Sequence, residues 1–172
     1  MSRAFTKEDD SLEIPIIPPR AALPPGTPNY VTPQGLEQLR TELAELEATR
    51  TRAEANRDND ADRTRQLTLL NGQLQALNAR IATAKVVDPH QQPANEVRFG
   101  ATVHLRTRSG GKPGTERQFT IVGVDEASVP ANKFAFIAPI ARAVQGAQVG
   151  QTVTLRLGPK EEVVEVISVA YE

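Results

Sequence analysis

Two stretches decide the architecture of this chain: Leu36-Glu-Gln-Leu-Arg-Thr-Glu-Leu-Ala-Glu-Leu46 and Leu67-Thr-Leu-Leu-Asn-Gly-Gln-Leu-Gln-Ala-Leu-Asn-Ala-Arg-Ile81. In the first, Leu36, Leu39, Leu43 and Leu46 recur at spacings of 3, 4 and 3, and Ala53 continues the stripe with Arg50 between. In the second, Leu67, Leu70, Leu74, Leu77, Ile81 and Ala84 keep the same alternation. A stripe of this period on a polar background is a heptad seam, the signature of helices that pack along one narrow face. Thr32 followed by Pro33 supplies an N-cap and a first helical residue. The spacing predicts helices from Pro33 to Ala53 and from Ala61 to Lys85. Asn56-Arg57-Asp58-Asn59-Asp60 between them favours a reversal, because Asn and Asp bond their own backbone and tolerate left-handed geometry. The expected product is an antiparallel helical hairpin. Gly72 weakens its second arm by about 1 kcal/mol relative to Ala and lies off the seam.

Outward from the hairpin, composition changes on both sides. Residues 1–29 hold Pro15, Pro18, Pro19, Pro24, Pro25 and Pro28. Proline fixes φ and removes backbone donors, so this reads as a disordered or extended tail. Its Ile14, Ile16 and Ile17 offer a second reading, in which the tail docks on a partner or on its own body. Residues 30–85 are the hairpin and residues 86–96 a linker in which Pro89 stops any helix. Residues 97–172 are β-rich: Val97–Arg108 alternates, Phe119–Val124 and Phe134–Ile137 are short apolar runs, and Thr152–Leu157 with Glu162–Val169 reads as a hairpin. Ile140–Val144 suits one short helix, giving an α+β class with a small antiparallel sheet.

The 172 residues include no Cys and only His90 and His104, which excludes thiolate zinc, iron–sulfur and multi-His metal centres. No apolar run approaches the ~20 residues needed to span a bilayer, and the N-terminus turns acidic where a signal peptide turns apolar. A cytoplasmic protein without a membrane partner is expected. Net charge is −1, giving no general drive toward nucleic acid. Ser109-Gly-Gly-Lys-Pro-Gly114 lacks the ending of a phosphate loop and reads as a hairpin turn. Asp125 and Glu126, taken as strand neighbours, would point to opposite faces, which argues against an acid/base pair. The hairpin turn gathers Asp58, Asp60 and Asp62 among Arg50, Arg52, Arg57, Arg63 and Arg65. Clustered carboxylates suit a hard cation such as Mg²⁺. Equally, they cap the second helix and favour its dipole. No metal of the protein's own is expected there, and no other cofactor.

Tyr30-Val-Thr-Pro-Gln-Gly-Leu-Glu-Gln-Leu-Arg-Thr-Glu-Leu43, Val86-Val-Asp88, Phe99-Gly-Ala-Thr-Val103, Phe119-Thr-Ile-Val-Gly-Val-Asp-Glu-Ala127, Ala138-Pro-Ile-Ala-Arg-Ala143 and the closing Val166-Ile-Ser-Val-Ala-Tyr-Glu172 occur in one order. That ordered set resembles the bacterial Gre transcript-cleavage factors, the GreA/GreB family. The resemblance implies an N-terminal antiparallel coiled coil and a C-terminal FKBP-like domain. The latter docks at the mouth of the RNA polymerase secondary channel, through the region of Pro139, Ile140 and Arg142 here. In the family, two acids at the coiled-coil tip help hold the second Mg²⁺ of the polymerase active site, and the polymerase itself hydrolyses the backtracked RNA. The factor would thus be a monomeric partner of polymerase, in indirect contact with transcript, and no enzyme in its own right.

Three departures bear on that reading. The hairpin is shorter than the usual one by roughly a heptad per arm, about 10 Å of reach. If Ala61-Asp62 occupies the end of the family's tip motif, the two metal-binding acids fall on Asn56 and Asn59. The long Pro-rich tail is absent from the best-known members. A short hairpin is similar to the relative Rnk, which occupies the channel without reaching the active centre. Channel occupancy and competition is therefore the leading expectation. The alternative is stimulation of cleavage through Asp58, Asp60 and Asp62. A prolyl isomerase would need a concave aromatic pocket, while Phe99, Phe119, Phe134, Phe136 and Tyr171 are largely required as core. An adaptor whose hairpin binds another coiled coil would want apolar residues off the seam, and few are present.

Overall fold

The computed structural model describes residues 15–172. Residues 1–14, including Ile14 of the expected isoleucine cluster, lie outside that range. The chain order is β1 (Asn29–Val31), α1 (Pro33–Ala55), α2 (Asp60–Ala82), β2 (Ala84–Val86), β3 (Thr102–Ser109), β4 (Glu116–Val122), β5 (Lys133–Ala135), α3 (Pro139–Val144), β6 (Thr152–Leu157) and β7 (Lys160–Ala170).

The seam closes the two long helices on each other. Leu39 and Leu77 are fully buried in one cluster with Val31, packed by Leu36, Leu43, Leu46, Ile81 and Ala84. Leu70, Leu74 and Ala53 are buried farther out. Contact between the start of α1 and the end of α2 requires the helices to run in opposite directions. Thr32 caps α1, its Oγ1 accepting from Gly35 N at 2.9 Å, with Pro33 at the first position. Helix α2 ends at Ala82 rather than Lys85. Thr83 caps it, and Ala84–Val86 leave the helix as β2, which pairs in parallel with β1. Periodicity alone could not show this change, because Ala84 stays in phase with the seam while its backbone turns extended. Asn29 on β1 donates to Arg80 O at 2.9 Å, supplying a partner to a carbonyl that the end of α2 would otherwise leave open.

The second half is a five-stranded sheet in the order β5-β4-β3-β7-β6. Three pairings are antiparallel, but β5 joins β4 in parallel, so the expected antiparallel sheet is in fact mixed. The reason lies in residues 123–132, which pass over the sheet end through a short 3₁₀ turn at Val129–Ala131 instead of a tight hairpin. Two register shifts on the β3–β7 ladder bend the sheet. Its concave face packs Val103, Leu105, Phe119, Leu155, Val164 and Val166 against Ala141 and Val144 of α3. The Ser109–Gly114 run is the β3–β4 loop, as its composition suggests.

On the sheet, Thr107 is buried and donates to Glu162 Oε1 at 2.5 Å, while Arg117 Nη2 reaches Oε2 at 2.6 Å. The Thr107 hydroxyl, helped by Arg117, holds the Glu162 carboxyl below its ordinary range against the opposing effect of burial. A depressed folded-state pKa contributes stability that is fully present above the unfolded value and is lost as pH falls through the folded one. Thr107→Val is therefore expected to raise the Glu162 pKa in an NMR titration. It also lowers stability at pH 7 by about 1 kcal/mol. That deficit shrinks below about pH 4; a deficit independent of pH would contradict the assignment.

Candidate functional site

The hairpin turn is built by its two asparagines. Asn56 closes α1, its backbone N–H donating to Ala53 O, and its side chain accepts from Asp58 N at 3.0 Å. Asn59 caps α2, accepting from Ala61 N at 3.0 Å and Asp62 N at 3.2 Å. Arg63 ties the turn across, donating to Asn56 O at 2.9 Å and pairing with Asp60 at 2.6 Å. Asp60 and Asp62 stand in the first turn of α2, where the N-terminal dipole favours carboxylates. The three sequence-predicted acids are thus all exposed at one end of the rod, but they do not converge. Among the described residues no three His, Asp or Glu side chains are placed to hold an ion. The residues present do not fit a metal cage: Asp60 already has Arg63, and both asparagines act as caps. Each arm is 23 residues, about 35 Å at 1.5 Å rise.

The second predicted set lies on α3. Pro139 and Arg142 are exposed, whereas Ile140 is half-buried against the sheet core. Arg142 N closes the first turn on Ala138 O at 3.0 Å. The structure leaves the Pro139 and Arg142 side chains on one short, rigid surface element and turns much of Ile140 inward. The tip aspartates and α3 belong to separate parts of the chain and form no common site.

Sequence reasoning missed the residues that join the two halves. Asp125 and Glu126 are not strand neighbours; β4 ends at Val122 and both sit in the turn that follows. Asp125 pairs with Arg80 of α2 at 3.2 Å and with Arg20 of the N-terminal segment at 3.0 Å. Arg20 also makes a two-pronged bond to Glu42, at 2.7 and 3.0 Å, and this bond with the Asp125 carboxylate holds its guanidinium above its ordinary pKa. Glu126 is buried, accepts from the Thr32 hydroxyl at 2.5 Å and lies 3.4 Å from Lys133. One threonine therefore caps α1 and binds the sheet half. Gly123 is required by a close approach: a Cβ there would lie 2.6 Å from Tyr30 O. The signal in the sequence was a pair of adjacent acids in an otherwise apolar run, which has several readings until their partners are known.

Tyr30 carries β1 into the aromatic residues of the sheet half, its ring centroid 5.8 Å from Phe99 and 5.5 Å from Phe136. The cavity remaining beside these rings, lined also by Ile121 and Ala141, is about 40 Å³. No helix of the described residues is long and apolar enough to cross a membrane.

Comparison with known proteins extends over both halves. The family model described as transcription elongation factor, GreA/GreB, C-terminal, matches residues 92–171. The transcription elongation factor GreA of Thermodesulfovibrio yellowstonii is 33% identical over 156 residues, which are 83% of this chain and 96% of the relative. GreB of Neisseria meningitidis serogroup A is 33% identical over 160 residues, 84% and 95% of the two chains. A solved GreA/GreB structure from Nitrosomonas europaea aligns over 83% of this chain and 97% of its own, at 21% identity and a TM-score of 0.40.

Proposed function

We propose, from the premise that this chain belongs to the GreA/GreB family of transcription elongation factors, that it binds bacterial RNA polymerase at the secondary channel and occupies it without stimulating RNA cleavage. The family supplies the partner; the tip supplies the direction of the effect. In this reading the helical pair acts as a coiled coil that enters the channel. Residues 97–172 act as an FKBP-like docking domain that presents Pro139 and Arg142, and the protein works as a cytoplasmic monomer. The observation that carries non-cleaving occupancy is the chemistry of the turn. Asn56 and Asn59 are both engaged in capping, and they take the places of the family's metal-binding acids if Ala61-Asp62 ends its tip motif. Two-metal hydrolysis needs a carboxylate that touches the ion or its water. Asp60 is held by Arg63, and relative to the hairpin that the family resemblance implies, the rod is short by about 10 Å.

The exposed Asp58 and Asp62 favour the second reading, in which the tip still assists the Mg²⁺ of the polymerase. A cleavage assay on backtracked complexes separates the two. The wild-type protein is expected to leave cleavage at its basal rate and to suppress stimulation by a cleavage-competent Gre factor in a dose-dependent way. Strong stimulation by the wild type, lost when Asp58, Asp60 and Asp62 are all changed to Asn, overturns the occupancy reading. In the same system Arg142→Glu is expected to weaken polymerase binding by about tenfold, 1.4 kcal/mol.

A further inference from the structure

Residues 15–28 contain no helix or strand, yet they are held against both halves of the molecule. Three contacts hold them, two of which meet at Asp125. Ile17 lies over Gly72 of α2: a Cβ at Gly72 would stand 2.0 Å from Ile17 Cδ1 and 2.9 Å from Cγ1. A glycine in mid-helix weakens the helix relative to Ala, and Gly72 has no left-handed φ to require one; its missing side chain is the space Ile17 fills. Next, the Arg20 guanidinium spans Glu42 of α1 and Asp125 of the sheet half. Finally, Arg80 of α2 donates to Ala21 O at 2.5 Å while pairing with Asp125. Farther along, Pro25 and Gly26 occupy the centre of a turn closed by Thr27 N to Pro24 O at 3.1 Å, with Gly26 at φ +79°, and the chain then enters β1.

We propose that residues 15–28 are an intramolecular strap that fixes the helical pair at one angle to the sheet, with Arg20 as its pin. The base of the pair is already tied at Tyr30 and Thr32. The strap adds a second anchorage on another side, at Glu42 and Gly72, so that pivoting about the base requires Arg20 to leave one of its two carboxylates. Arginine suits this place because its planar fork binds one carboxylate through two bonds and still has a donor for another. Proline at 18 and 19 restricts the free segment and lowers the entropy lost when it is laid down.

The absence of Cys allows two spin labels at Glu47→Cys on α1 and Ser168→Cys on β7 in the full chain, both exposed positions. Pulsed electron–electron distance measurement is expected to give a narrow distribution in this background. It should be at least about twofold broader with Arg20→Glu and with Gly72→Leu, and unchanged with Arg40→Glu. Leucine is a stronger helix former than glycine, so Gly72→Leu displaces Ile17 without weakening α2, and circular dichroism checks that helicity is kept. Trypsin cleavage after Arg20, in the Gly72→Leu chain, should accelerate about tenfold as the strap opens. A distribution of wild-type width in either strap variant, or unchanged cleavage after Arg20, overturns the proposal.

Discussion

Asp125→Ala is expected to remove about 3 kcal/mol of stability, read as a lower urea midpoint with an unchanged slope. The Asp125 side chain is only 8% exposed and faces Arg80, 12% exposed, and Arg20, 19% exposed. Deleting the carboxylate leaves two poorly solvated guanidiniums near each other. Arg20 retains Glu42, but Arg80 loses its only ion-pair partner among those described. The cost is that of stranding a buried charge and exceeds what the same contact is worth at a surface, where ion pairs contribute about 0–1 kcal/mol. The exposed Arg40–Glu37 pair, 3.9 Å apart, is the internal comparison: Glu37→Ala should change stability by less than about 0.5 kcal/mol. Equal effects at the two positions would mean that Asp125 is better hydrated than its surroundings indicate.

Phe119→Ala is expected to cost more, about 3–5 kcal/mol. Phe119 is 2% exposed and lies on β4 with its ring edge-on to Phe134, centroids 5.3 Å apart. It shares one buried cluster with Val103, Leu105, Leu155 and Val166, drawn from three other strands, and with Ala141 of α3. These residues are fixed by a ladder of backbone hydrogen bonds and close only partly on the cavity, so loss of transfer energy and of packing add together. For a chain of this size the loss corresponds to a fall in melting temperature of roughly 10 °C. Leu157→Ala, at a side chain 45% exposed, should shift it by no more than about 2 °C. A small effect at Phe119 would require the sheet to collapse around the hole, which would show as new exchange protection on β5.

The two stability predictions differ in how visible their residues are in a sequence. Phe119 is legible as core because it alternates with polar Gln118 and Thr120 in a β-forming run. Leu39 and Leu77 are legible because a heptad stripe has one plausible use. Thr32 is legible as a cap because Pro follows it. Asp125 is not, since its role rests on Arg20 and Arg80, 105 and 45 positions away in the chain, and charge carries no periodicity that points at a distant partner. The turn asparagines fall between. Their place in a reversal follows from residue type, whereas the particular backbone donors they accept from depend on how two helices of equal length meet.

Local chemistry therefore determined the helical pair, its start at Thr32 and Pro33, the β-rich second half and the exposed acids between Asp58 and Asp62. Each of these follows from interactions among residues a few positions apart, which sequence spacing records directly. Tertiary structure alone decided the parallel pairing of β1 with β2 and of β4 with β5, and the use of Asp125 and Glu126 as anchors between the halves. It also decided the seating of Ile17 in the gap left by Gly72. These depend on which surfaces meet in space. Burial of a carboxylate beside arginine, or the seating of a half-exposed isoleucine over a bare helix backbone, acquires its sign only when the long-range partner is present to satisfy the charge or fill the volume.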